Sequence, residues 1–323
     1  MPLYAKEFCD TRTTRRGAFW ISIWIILSAS FITFNKWLLV TAHFPFPYLL
    51  TTIDLSIATT ALHFTAHYTH LLDNKNFTVT RGFMFQFILP SSILFTISLC
   101  IGNQAYLYLN IAFSQMLKEL TPLTLIIMSL MVDFKNTDLV VLANAAIIVA
   151  GALLAAYEDI PDVVDIFGSV SQLIAMVCEA ARLLIMSRWF KSLDGMKPVV
   201  YIYFVAPFSA FFNFLMFIFI EGRHIHWAHV KKYGISALFA HSLFSLFLNV
   251  AIVYAVAETS ALTFCLTGIL KDFLLLGTTM VKYSMAPGRI QTLGCTISLL
   301  GLVYYIFGRE RCILRLYALS DQC

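Results

Sequence analysis

Charge is scarce in this chain. Lys, Arg, Asp and Glu together make up 12% of its 323 residues, about half of the roughly 25% usual in soluble proteins. A soluble fold of this length covers its surface with charge, so a soluble enzyme and a disordered chain are excluded. A nucleic-acid binder is excluded too, because the 22 basic residues barely outnumber the 18 acidic ones. Patterned cysteine is also lacking. The seven cysteines are odd in number and scattered, none in a CxxC or zinc-type spacing, and Cys100, Cys178, Cys265 and Cys295 fall in apolar stretches. Neither a disulfide framework nor a metal site is expected. What is present is apolar: 59% of the residues are hydrophobic, with 29 phenylalanines spread along the whole length. This is the composition of a polytopic membrane protein.

A helix needs about 20 apolar residues to cross a hydrocarbon core of roughly 30 Å. Ten stretches qualify, near 19–40, 48–69, 83–106, 111–131, 138–157, 167–189, 199–220, 233–256, 259–281 and 289–308. Lipid offers no partner to an unpaired backbone group, so an all-α integral membrane fold is expected. The first run lacks a small-residue cleavage site and is too long for a signal-peptide core, so it reads as an uncleaved span.

Basic residues set the orientation. With the N-terminus in the cytosol, thirteen Lys and Arg residues outside the spans fall on the cytosolic side and five on the other. Both termini are therefore expected in the cytosol. The expected organisation is an N-terminal tail (1–18), a first five-helix half (19–157), an acidic luminal loop (158–166), a second five-helix half (167–308) and a C-terminal tail (309–323). An odd number of spans per half inverts the second half relative to the first, as in many secondary transporters.

Four basic residues remain inside spans: Lys36, Lys118, Arg182 and Lys271. A charge at the bilayer centre costs about 2.5–3.5 kcal/mol on insertion scales and marks a pathway by default. Lys118 lies just before Thr121-Pro122, and Pro122 cannot donate to the Lys118 carbonyl four residues back, so a bend is expected there. Each of Lys118 and Lys271 is followed at once by an acid, Glu119 and Asp272. Helix neighbours point about 100° apart, so each acid is expected to meet another helix rather than its own lysine. The functional reading has both lysines lining a cavity for an anion; the structural alternative pairs Lys118 with Asp272. Glu179 and Arg182 are spaced to pair on one helix face, as a packing or gating pair. Lys36 either snorkels to the interface or pairs with Asp54. Asn103, Gln115 and Asn249 are candidate substrate-binding groups, as is Tyr106, whose alternative is an interfacial anchor.

These residues carry a family resemblance. Phe34-Asn35-Lys36-Trp37-Leu38-Leu39, then Phe44-Pro45-Phe46-Pro47-Tyr48, Gly102-Asn103, Ala112 to Lys118 with Thr121-Pro122, Glu179-Ala180, Leu248-Asn249-Val250 and Gly268-Ile269-Leu270-Lys271-Asp272 run in order over about 20–310. The chain resembles the drug/metabolite transporter superfamily, in the branch of triose-phosphate translocators and nucleotide-sugar transporters, in its fungal form. The resemblance implies ten helices in two inverted five-helix repeats, and alternating-access antiport of an anionic substrate against a counter-substrate. It implies residence in the Golgi or ER membrane, with plasma or vacuolar membrane as alternatives, and no cofactor. In sugar-phosphate members a lysine on the fourth helix and a Lys-Arg pair on the ninth hold phosphate. Lys118 and Lys271 match the lysines, and Asp272 stands where the arginine would be. That departure argues for a nucleotide sugar or another organic anion over plastid-type triose-phosphate exchange.

Two rivals differ in class. A proton-coupled exporter of small metabolites or drugs would use Glu119, Glu179 or Asp272 as its proton carrier. A membrane di-iron enzyme would need His63, His67 and His70 to meet His224, His226 and His229, but the expected topology puts the two groups on opposite faces. Homodimerisation is left open by the sequence.

Overall fold

In a computed structural model, residues 11–41, 44, 46–69, 80–109, 111–132, 139–155, 157, 165–192, 197–223, 235–283 and 288–320 are described. Helix occupies each of the ten expected stretches: α1 (Thr11–Lys36), α2 (Pro47–Tyr68), α3 (Arg81–Tyr108), α4a and α4b (Ile111–Lys118, Thr121–Val132), α5 (Leu139–Ala155), α6 (Ile166–Ser192), α7 (Val199–Ile220), α8 (Ile235–Glu258), α9 (Ala261–Tyr283) and α10 (Arg289–Ser320). No strand occurs among the described residues. α1 runs on through a π turn, Trp37–Thr41, and α10 continues helical well into the stretch expected as a tail. Asp165, at the end of the acidic loop, caps α6: its carboxylate accepts from Gly168 N at 2.6 Å, as an N-cap acid does.

Among the described residues, five helices, α1, α3, α6, α7 and α8, are both long and apolar enough to cross a membrane. α2 is of spanning length and carries a run of Ser and Thr residues. Several of its hydroxyls are satisfied within the helix: Thr52, Ser56, Thr60 and Thr65 each donate to the carbonyl four residues back, while the buried Thr59 Oγ1 has no hydrogen-bond partner among the described residues. Such back-bonding lets a helix carry Ser and Thr without presenting bare donors to its surroundings.

The main packing pairs are α1 with α8, α3 with α6, α2 with α8, α3 with α7, α4b with α6, α1 with α9, α2 with α7 and α5 with α10. Exchanging α1–α5 for α6–α10 turns each pairing into another of them or into itself. Small residues permit the closest contact. A Cβ on Gly294 would sit 2.3 Å from Ala155 N, and one on Gly151 would sit 2.8 Å from Ser298 N. Ser298 Oγ donates to the Ile148 carbonyl at 2.5 Å and Asn144 Nδ2 to the Gly301 carbonyl at 3.2 Å. In lipid this small-residue approach plus inter-helix hydrogen bonding takes the place of hydrophobic burial.

One end of the bundle is closed by Leu38, Leu39, Phe44, Phe46, Leu49 and Leu238, all buried. Toward the other end Trp189 is fully buried among the rings of Phe83, Phe87 and Tyr201. Between them lies a polar cavity.

Candidate substrate cavity

The cavity holds about 260 Å³ and draws its lining from α1, α3, α4, α6, α8 and α9. Lys118, Arg182 and Lys271 line it, and so do Glu119, Glu179 and Asp272. Trp24, Phe31, Phe95, Tyr106 and Phe264 supply aromatic walls, and Asn35, Asn103, Gln172 and Asn249 supply amides.

Lys118 reaches the cavity from the break between α4a and α4b. The break is where the sequence places it, and the Lys118 carbonyl that Pro122 cannot serve accepts from the Thr121 hydroxyl instead. Lys118 Nζ donates to Tyr106 Oη at 2.7 Å and lies 4.9 Å from the centre of that ring. Tyr106 is therefore a wall of the site rather than an interfacial anchor; it is buried while Tyr108 is exposed.

Lys271 Nζ lies 3.1 Å from Asp272 Oδ1 and 5.8 Å from the Trp24 ring centre. The expectation that Asp272 would turn to another helix is corrected here. A lysine stem is long enough to bring its ammonium back over the adjacent carboxylate, whatever the angle between the two Cβ directions. Lys118 with Asp272, the structural alternative, is not the pair that forms. Glu119 is buried beside them, and its Oε2 has no hydrogen-bond partner among the described residues.

Glu179 and Arg182 pair as their spacing requires, through Nε at 2.9 Å and Nη2 at 2.5 Å. The Arg182 guanidinium also lies 4.7 Å from the centre of the Phe95 ring. Two parallel bonds fix the guanidinium plane at the cavity wall. Asn103 Oδ1 accepts from Asn35 Nδ2 at 2.9 Å, joining α1 to α3, while Asn249 Nδ2 donates to the Ser245 carbonyl on its own helix. The side chains of Gln115 and Lys36 lie outside the described residues.

Asp54 does not line the cavity. Its Oδ1 accepts from Ser242 Oγ at 2.6 Å and lies 3.1 Å from His241 Nδ1, so its partners come from α8. Sequence reasoning passed over His241, and a histidine inside an apolar span, six residues from the helix start, was the signal for it. Glu221 was also missed. From the end of α7 it accepts from Tyr48 N at 3.0 Å and Leu49 N at 2.8 Å. The signal was negative: Phe46 stands at the N-cap of α2 and caps nothing with its side chain, so the free N–H groups of that first turn needed an acceptor from elsewhere. Of the histidines considered for iron, His63 bonds the Thr59 carbonyl and stacks on Tyr203, and the other cluster lies outside the described residues.

A cavity walled by three cations and three acids, inside a helical bundle with exchangeable halves, is the setting in which the comparisons with known proteins fall. The model of the Triose-phosphate Transporter family matches residues 16–306. The chain belongs to that family. A probable sugar phosphate/phosphate translocator of Arabidopsis thaliana is 30% identical over 292 residues, covering 88% of this chain and 81% of that one. The GDP-mannose transporter GONST5 of Arabidopsis thaliana is 24% identical over 293 residues, covering 89% and 84%. One crystal structure aligns with a TM-score of 0.53 at 15% identity over 90% of this chain and 96% of its own, a likeness of fold alone. This member of the Triose-phosphate Transporter family is a multi-pass membrane transporter, and family membership sets aside the di-iron enzyme reading.

Proposed function

We propose that this transporter is an antiporter that exchanges a phosphorylated sugar for a second phosphorylated anion or phosphate across a Golgi or ER membrane. Two inverted five-helix halves, 19–157 and 167–308, would alternate access to the cavity, with both termini cytosolic. The observation that carries the reading is the convergence of Lys118, Arg182 and Lys271 on one cavity. Arg182 and Lys271 each face a carboxylate, whereas Lys118 donates to a neutral phenol. Lys118 is thus the cation best placed to take a phosphate.

Size supports the smaller of the two substrate classes named among the relatives. About 260 Å³ falls below the roughly 300–1,000 Å³ of pockets for drug-sized ligands, which favours a sugar phosphate over a bulkier nucleotide sugar. Exchange follows from electrostatics. Closing the halves without substrate leaves Lys118 hydrogen-bonded to a neutral phenol, with the carboxylates of Glu179 and Asp272 as its more distant compensation, and a buried charge without a hydrogen-bonded counter-ion is expensive.

The test is uptake of radiolabelled sugar phosphate into proteoliposomes. Uptake should require internal phosphate or sugar phosphate, and Lys118→Ala should abolish it. Equally fast uptake into empty vesicles would sink the exchange mechanism. A proton-coupled exporter is kept as a second reading because three acids line the same cavity. It becomes the better account if sugar phosphates and nucleotide sugars neither enter nor stabilise the protein while an outward proton gradient drives export.

A further inference from the structure

Asp54, His241 and Ser242 form a polar cluster between α2 and α8, so it joins the two halves. Relative exposures of 5%, 1% and 0% seal it. His241 Nε2 has no hydrogen-bond partner among the described residues. The imidazole packs against Phe31 and Phe34, with ring centres 4.7 Å and 5.3 Å away. Phe31 lines the substrate cavity on its other side, and so does Ser245, one turn beyond His241. The cluster sits about 10 Å along α2 and α8 from their first residues, behind the apolar plug of Leu38, Leu39, Phe44 and Phe46.

We propose that Asp54 and His241 form a proton-binding site, separate from the substrate cavity, whose loading is linked to closure of the plugged end. Imidazole is the side chain whose charge changes between pH 5 and 8. With His241 neutral, closure buries a net negative charge on Asp54, which costs several kcal/mol in a low-dielectric interior. With His241 protonated on Nε2, the carboxylate is neutralised by the imidazolium, and the cation rests against two aromatic rings, a favourable contact. The proton is therefore taken from water when this end is open, held while it is shut, and returned when it reopens. Acid on this side favours the closed state.

The other ionisable groups on the surrounding helices have their own positions. Glu221 from the end of α7 is engaged with Tyr48 N and Leu49 N, six and five residues before Asp54. Cys100 on α3 sits against Thr51, and Tyr48 bonds Gln104. Glu179, Arg182, Lys271 and Asp272 lie across the cavity. Lys36 follows Phe34 by two residues on α1, and its side chain is outside the described residues.

The proposal rests on alternating access but not on the substrate's identity. Full-length protein labelled with ¹⁵N-histidine in detergent, without substrate, is titrated between about pH 5 and about pH 8. The His241 signal is assigned by its loss in His241→Gln, which keeps an amide donor for Asp54. His241 should take up a proton reversibly, the transition should move in Asp54→Asn, and it should persist in Lys36→Ala. A His241 signal that does not titrate, or that titrates identically in Asp54→Asn, overturns the proposal. In proteoliposomes, the change in sugar-phosphate exchange over that range should differ about fivefold or more between the wild type and His241→Gln, the ionisation of the substrate phosphate and of Glu221 being common to both. Identical pH dependence in both also overturns it. If His241 titrates as expected while no sugar phosphate moves, the proposed function has failed and the proton site has not.

Discussion

Lys271 and Asp272 are consecutive on α9, and Nζ of the first lies 3.1 Å from Oδ1 of the second, both on the wall of the cavity. A cation that arrives with its own acid is a weaker phosphate trap than a bare one, but it can enter a closed cavity without an uncompensated charge. The pair therefore trades affinity for the ability to move. Asp272→Asn removes the acid and keeps the shape. Apparent affinity for a sugar phosphate should rise about five- to thirtyfold, the equivalent of about 1–2 kcal/mol, while turnover falls because release slows. Concentration dependence of exchange separates the two effects. Unchanged affinity would show that Asp272 does not restrain Lys271.

Lys118 and Tyr106 are expected to behave as a unit. Lys118→Ala removes a charge-assisted bond to the substrate, worth about 1.5–3 kcal/mol, so binding measured by thermal shift should weaken about ten- to a hundredfold. Tyr106→Phe keeps the ring under the ammonium and removes only the hydroxyl. It should leave binding measurable and alter its strength by much less than Lys118→Ala. If the two variants lose equally, the phenol rather than the ammonium is the substrate contact.

The sequence made the cavity's charges legible because each is expensive in an apolar span and stands out for that reason. Lys118, Arg182, Lys271 and their acids were all found this way, and the bend at Pro122 with them. Pairing was legible only where it is local. Glu179 with Arg182 follows from helix spacing, but Asp54 meets His241 across 187 positions, which no local pattern encodes. Lys271 with Asp272 was misread because the backbone directions of neighbours say little about where a four-carbon stem ends. Glu221 escaped because the missing cap on α2 and the residue that supplies it lie on different helices. Helix in each of the apolar stretches was legible from hydropathy, because a run of apolar side chains long enough to cross the bilayer has no other economical conformation.

The α5–α10 contact predicts a stability defect without an effect on the site. A Cβ on Gly294 would lie 2.3 Å from Ala155 N and 2.6 Å from the Gly151 carbonyl, both backbone, so neither helix can yield by turning a side chain. Gly294→Ala should push the helices apart and cost about 1–3 kcal/mol, as overpacking does. The detergent-solubilised protein should melt several degrees lower while its substrate affinity per folded molecule stays unchanged. Wild-type melting would show that the helices already stand further apart.

Glu221, just past the last residue of α7, predicts a pH dependence of stability. Burial holds its carboxyl above the ordinary 4.5, at about 7, against the opposing pull of the Tyr48 and Leu49 N–H groups. In the unfolded chain the group loses its proton near 4.5, whereas in the folded chain it keeps it to about 7. Between those values the folded state binds more protons, so stability falls as pH rises. The contribution is fully present below about 4.5, declines through the interval and is gone above about 7. Glu221→Gln carries no titrating group, so its melting temperature should decline less across that interval than the wild type's. A protonated carboxyl, like the amide, offers one good acceptor oxygen to the two N–H groups, so the two proteins should start close together in acid. Melting scans of both proteins from about pH 5 to about pH 8 give the comparison. Parallel slopes would mean that the carboxylate, stabilised by its two backbone donors, is already the form present at pH 5.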